Sequence, residues 1–182
     1  KINSIGIIQW QNTIGGISDD RLHTVIKLND NGYILGGYSF SDISGDKTEN
    51  SKGLSDYWIV KVDSSGNIQW QKTIGGDLDD QLHSLIQTND GGYILGGFSD
   101  SGISGDKTEN QIGDKDYWIV KTDSLGNIQW QNTIGGSDID VINSVIRCDD
   151  YGYLVSGSSR SDISDDKIEN NIGSYDYWIV KL

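Results

Sequence analysis

Trp10, Trp70 and Trp130 recur at a spacing of 60 residues, and so do Trp58, Trp118 and Trp178. No insertion or deletion separates the copies, so any fold for this chain has to be built from one unit used three times. A unit of that size is a single supersecondary element. It buries its apolar face only by stacking on a neighbour.

The unit itself reads as β. In the middle copy, residues 82–88 (LHSLIQT) and 93–99 (YILGGFS) flank the turn Asn89-Asp90-Gly91-Gly92, which is a hairpin signature. A polar stretch follows from Asp100 to Lys115, and then a second pair, residues 116–123 (DYWIVKTD) and 128–134 (IQWQNTI), joined through Ser124-Leu125-Gly126-Asn127. Each copy therefore holds four antiparallel strands, A to D, with no helical period anywhere. The sequence begins on a strand equivalent to D (residues 7–14) and ends on one equivalent to C (residues 177–182). The expected layout over 1–182 is a single repeat domain: strand D at 7–14, repeat one at 15–74, repeat two at 75–134, and repeat three at 135–182. The last lacks its own strand D and would be completed by one from the N-terminus or from a partner chain.

Composition narrows the function classes. The formal charge of -13, with no local cluster of Lys or Arg, repels phosphate backbones and anionic lipid, so nucleic acid is not an expected partner. The longest apolar run is the Tyr-Trp-Ile-Val of each copy, far short of the ~18 residues a membrane helix needs, so membrane insertion is not expected either. Cys148 is the single cysteine and stands where the other copies have Leu28 and Thr88, so no internal disulfide or cysteine-type zinc site can form.

Two all-β architectures use three four-stranded units. Four-stranded sheets repeated along the chain, with Gly-Gly closing strand B and Tyr and Trp on the outer strands, fit β-propeller blades. A β-trefoil also has three units of four strands, but trefoil units are usually shorter, and Ile-Gln-Trp-Gln is not the Gln-x-Trp pattern of trefoil lectins. The Gly-Gly after Tyr-Ile-Leu resembles the kelch type of blade. The whole chain is similar to secreted and surface repeat proteins of Bacteroidetes, through Asp-Gly-Gly-Tyr-Ile-Leu at 90–95, Asp-Tyr-Trp-Ile-Val-Lys at 116–121 and Gly-Asn-Ile-Gln-Trp-Gln-Lys-Thr-Ile-Gly-Gly at 66–76. That resemblance implies a secreted or cell-surface location, commonly reached by type IX secretion, and implies no defined biochemistry.

Three blades leave a gap too wide to close, because propellers close with about four to eight blades. Two copies would give six, each N-terminal strand D completing the other copy's last blade, so a homodimer is expected; a fragment of a longer propeller is the alternative. Antiparallel order puts the D-to-A and B-to-C connections on one face, which then carries most of the 27 acids and half of the 14 Lys and Arg. Long loops on a rigid scaffold are where binding concentrates. Asp20, Asp80, Asp140, His23 and His83 are the expected ligand-face residues. Asn143 replaces the third histidine, so no three-histidine metal ring exists and half-buried strand positions are the simpler reading for the two that remain.

Within the B-to-C loops, Asp46 and Glu49, Asp106 and Glu109, and Asp166 and Glu169 repeat an oxygen-rich pattern, which suits calcium better than zinc. It is not an EF-hand, since Lys47 stands where that loop needs Gly and Gly53 where it needs Glu. Trp10, Trp58, Trp70, Trp118, Trp130 and Trp178 alternate with polar neighbours at period two, which places them in the core between sheets; stacking on sugars is the competing role. Equivalent carboxylates in every copy argue against glycosidase chemistry, and no nucleophile elbow, phosphate loop or dinucleotide fingerprint occurs. The expectation is a non-catalytic secreted or cell-surface binding and assembly module with one acidic face, for a basic protein surface. The alternative is a multivalent lectin for glycans.

Overall fold

The structure is a computed structural model describing residues 1–182. It contains no helix and eleven strands. These are β1 (Asp20–Lys27), β2 (Tyr33–Ser39), β3 (Asp56–Val62), β4 (Ile68–Ile74), β5 (Asp80–Gln87), β6 (Tyr93–Ser99), β7 (Asp116–Thr122), β8 (Ile128–Ile134), β9 (Asp140–Arg147), β10 (Tyr153–Ser159) and β11 (Asp176–Lys181). They form three antiparallel sheets, β1-β2-β3-β4, β5-β6-β7-β8 and β9-β10-β11, each a meander of one repeat. The fold is all-β and made of propeller-like blades. The trefoil alternative falls away because strand ladders never join two repeats; a lone parallel bridge between Lys115 and Ile139 is the exception.

Side chains alternate across each sheet, so every blade offers two faces for stacking. Tyr57 and Ile59 on β3 pack with Leu82, Leu85, Leu95 and Trp118 of blade two. Tyr117 and Ile119 on β7 repeat the arrangement with Ile142, Val145 and Val155 of blade three. The A strands β1, β5 and β9 touch in succession, while β4 and β8 share no comparable contact, so the blades fan outward from strand A.

Each A strand carries a β-bulge. The ladder skips His23 between Leu22 and Thr24 and skips His83 between Leu82 and Ser84, and Asn143 is skipped in the same way. The bulge swings the carbonyls of Arg21, Gln81 and Val141 onto Gly37, Gly97 and Gly157, where an added Cβ would sit 1.8 to 1.9 Å from the oxygen. The second glycine of the Gly-Gly pair is therefore a steric requirement of the bulge.

Residues 7–14, expected as strand D, form no strand, and the third sheet stays three-stranded rather than being completed by this chain's own N-terminus. A ladder needs two backbones, and no strand C lies beside residues 7–14. They nevertheless occupy the strand D position relative to blade one. Trp10 meets Tyr33 at 6.2 Å between ring centroids, as Trp70 meets Tyr93 at 6.2 Å. The Trp10 indole N–H donates to the Ser64 carbonyl at 3.1 Å, and the Asn12 amide donates to that of Gly66 at 2.6 Å.

Candidate functional site

The D-to-A and B-to-C loops are held together by backbone and carboxylate. Asp46 N–H donates to the Gly15 carbonyl at 2.9 Å, while the Asp46 carboxylate accepts the Gly15 N–H at 3.2 Å. Asp106 with Gly75, and Asp166 with Gly135, repeat both bonds. The glycine opens the D-to-A connection and the aspartate sits in the B-to-C loop of the same repeat, so this clamp braces the two loops against each other.

Beneath the loops lies a row of buried charges. Lys47, Lys107 and Lys167 are almost completely buried. Lys47 Nζ donates to the Glu49 carbonyl at 2.7 Å and to Thr73 Oγ1 at 2.8 Å, and Lys107 Nζ donates to Thr133 Oγ1 at 2.5 Å. Burial lowers the pKa of Lys47 and Lys107. Asp80 and Asp140 are fully buried and Asp20 partly so. Their carboxylates accept the N–H of Gly16, Gly76 and Gly136 at 2.6, 2.6 and 2.8 Å, and hydroxyl bonds from Ser41, Ser101 and Ser161. Burial pushes Asp80 up to about 6 and also raises Asp56 and Asp116. The three expected ligand-face aspartates are thus the roots of the loops, with Asp80 and Asp140 out of reach of solvent and Asp20 partly open to it.

His23 and His83 lie on the A-strand bulges. Their rings stack at 4.8 Å with 12° between planes, and His83 Nδ1 lies 2.9 Å from the Ile142 carbonyl, to which it donates. Burial lowers the pKa of both.

The six expected metal ligands are spread over three loops, and no group of three or more His, Cys, Asp or Glu side chains gathers as a metal-binding cluster. Besides the aspartate clamps, Glu49 and Glu109 accept the Thr73 and Thr133 N–H groups at 2.6 Å, Lys52 pairs with Asp106, and Glu169 is exposed. Trp118 and Trp58 are buried, Trp10, Trp70 and Trp178 are half-buried, and Trp130 is exposed.

Two features of the face escaped sequence reasoning. The buried lysines look like surface bases in the sequence. Ile43, Ile103 and Ile163 stand at one loop position in all three blades and are 60, 63 and 59% exposed. An isoleucine recurring in an otherwise polar loop was the available signal.

No protein-family model matches the chain. It is similar to an uncharacterized WD repeat-containing protein of Acanthamoeba polyphaga mimivirus, 23% identical over 189 residues. The similarity covers 86% of this chain and 14% of that protein, so the chain spans a small part of its relative's length. The likeness agrees with a repeat β-sheet protein built of blades.

Proposed function

We propose that the chain is a non-catalytic binding module whose loop face docks a basic protein surface. The observation that carries this reading is the repetition of one exposed isoleucine, Ile43, Ile103 and Ile163, on three braced loops within a strongly acidic surround. Apolar anchors rimmed by charge supply affinity at the centre and steering at the edge. Asp42, Asp162 and Asp166 are among the exposed acids of those loops. The WD repeat likeness supports a scaffold role. The resemblance to Bacteroidetes repeat proteins supports display outside the cell. A lectin has less to rest on, because Trp130 is the one exposed tryptophan and lies on strand D rather than on the loops.

The test is binding of a fluorescent peptide rich in lysine and leucine, measured by anisotropy at rising salt. Binding should weaken steeply with ionic strength and should be lost in the triple variant Ile43→Ser, Ile103→Ser, Ile163→Ser without loss of thermal stability. Retained binding by that variant, or binding on a glycan array in place of the peptide, would count against the proposal.

A further inference from the structure

We infer that the inner rim of the loop face, centred on Lys115 and Arg160, is one asymmetric contact that takes a carboxylate side chain of the docked protein. This rests on the reading of the face as a docking surface for a basic protein, and it adds what that surface asks for at its centre. The starting observation is where the three copies stop being copies. Some exposed loop positions are repeated unchanged: Ile43, Ile103 and Ile163, and Asn50, Asn110 and Asn170, are identical and open to water. The positions where strand A begins and strand B ends behave in the opposite way. Strand A carries Arg21, Gln81 and Val141, and opposite them in the ladder strand B carries Tyr38, Phe98 and Ser158. Two residues further on stand Phe40, Asp100 and Arg160, and just before strand C stand Ser55, Lys115 and Tyr175. All four positions differ in all three blades. Exposure does not account for this, because Tyr38 and Phe98 are each only 5% exposed while the identical isoleucines face water.

The four positions form one patch. Each blade sets a cation against an aromatic ring there: Arg21 lies 6.0 Å from the Tyr38 ring centre, Lys115 4.2 Å from that of Phe98, and Arg160 5.5 Å from that of Tyr175. No two blades take the cation from the same repeat position, so duplication alone did not hand the arrangement down. Contacts between blades join the three pairs into a strip. The stacked rings of His23 and His83 connect Tyr38, at 5.3 Å, to Phe98, at 5.8 Å. The Lys115 carbonyl accepts the Asp140 N–H at 2.6 Å, and the adjacent Ile139 carbonyl accepts the Arg160 N–H at 2.8 Å.

Charge gives the strip its preference. Among the bases of the loop face, Lys47, Lys107 and Lys167 are buried beneath the loops and Lys52 is paired with Asp106. Those that remain are Arg21, Lys115 and Arg160, all on this rim. Asp100 lies 3.7 Å from Lys115 Nζ and Asp138 lies 3.7 Å from Arg160 Nε, beyond hydrogen-bond length, so both cations keep donors unused. Unused donors call for an acceptor, and a guanidinium fork takes a carboxylate through two parallel bonds. A phosphate, with its larger charge, is disfavoured by the neighbouring Asp100 and Asp138. The Lys115 and Arg160 side chains are 31 and 42% exposed, an open rim that a group carried on a protein surface can reach.

Two fluorescent peptides rich in lysine and leucine, identical except for a central Glu-Glu or Gln-Gln, separate this inference from the reading beneath it. By anisotropy the glutamate peptide should bind the native chain about tenfold more tightly, although the acidic face as a whole favours the more basic glutamine peptide. Lys115→Gln combined with Arg160→Gln should erase that preference without weakening the glutamine peptide. Lys115→Arg combined with Arg160→Lys, which keeps both charges, should retain it, with thermal melting as the check on both folds. Sodium glutarate should displace the glutamate peptide no better than sodium chloride at equal ionic strength. Equal binding of the two peptides by the native chain, or a preference that survives Lys115→Gln with Arg160→Gln, would overturn the carboxylate contact and leave the docking reading intact. Displacement by glutarate at the peptide's own concentration would overturn the protein as the source of the carboxylate. Binding of neither peptide would overturn the docking reading and this inference with it.

Discussion

The hydroxyl of Tyr57 donates to the backbone carbonyl of Trp118 at 3.0 Å, carrying a buried hydrogen bond from one blade into the next while the two rings lie 4.9 Å apart. Tyr117 and Trp178 repeat it at the second interface. Tyr57→Phe leaves a buried carbonyl without its donor and should cost about 1 to 2 kcal/mol in urea unfolding. Tyr177→Phe, with no such acceptor in the single chain, should leave the unfolding of that chain unchanged. Equal effects would mean that the bond adds nothing to blade stacking.

Asp80 should make part of the stability depend on pH in the direction opposite to acid denaturation. Its folded pKa, about 6, lies above the unfolded value, so its contribution is full below about pH 4 and is lost as pH rises through 6. Asp56 and Asp116 act in the same sense. Asp30, Asp63 and Asp123 are shifted down by hydrogen bonds, so their contribution is lost as pH falls below the usual carboxylate range. Unfolding free energy followed against pH should therefore peak on the acid side of neutrality. Asp80→Asn, which keeps an acceptor for the Gly76 N–H, should flatten the decline between about pH 4 and 6 and raise stability at pH 7 by about 1 to 3 kcal/mol. An unchanged pH profile would rule out Asp80 as the titrating group.

The tryptophans should divide by strand. Trp118 is fully buried, and Trp118→Ala should cost about 3 to 5 kcal/mol. Trp130 is 40% exposed, and Trp130→Ala should cost about 1 to 2 kcal/mol, because only part of its ring leaves water on folding. Chemical denaturation of the two variants side by side measures the difference.

Calcium should give no specific stabilisation through the B-to-C loops. Asp46, Asp106, Asp166, Glu49 and Glu109 already accept backbone N–H bonds, and their oxygens do not gather at one point. Melting curves in calcium, magnesium and chelator at matched ionic strength should coincide. A calcium-specific gain near the ~2.7 kcal/mol expected at a hundredfold excess over the dissociation constant would reveal a site that these loops form only with the ion.

Much of the blade was legible because its signals are local. Alternation in Tyr-Ile-Leu and Tyr-Trp-Ile-Val, and the turns at 89–92 and 124–127, specify strands and hairpins through neighbours only a few residues away. Residues 7–14 have the same local pattern as β4 and β8, yet form no ladder, since pairing depends on a strand that this chain does not place beside them. The bulges at His23 and His83 also lay beyond pattern reading. They show only when the Arg21 and Gln81 carbonyls come to rest on Gly37 and Gly97.

The sequence by itself determined the 60-residue period, the four-strand unit and the all-β class, because each is written in spacing. Which polar groups are buried was decided only by the tertiary structure. Lys47 and Asp80 appear in the sequence as ordinary loop charges. The B-to-C loop folding onto its blade removes water from both, and their hydrogen-bond partners arrive from residues distant in the sequence, Thr73 for Lys47 and Ser101 for Asp80. Solvent exposure is a property of that assembled environment, so the same packing that hides these charges leaves Ile43, Ile103 and Ile163 as the apolar points of the face.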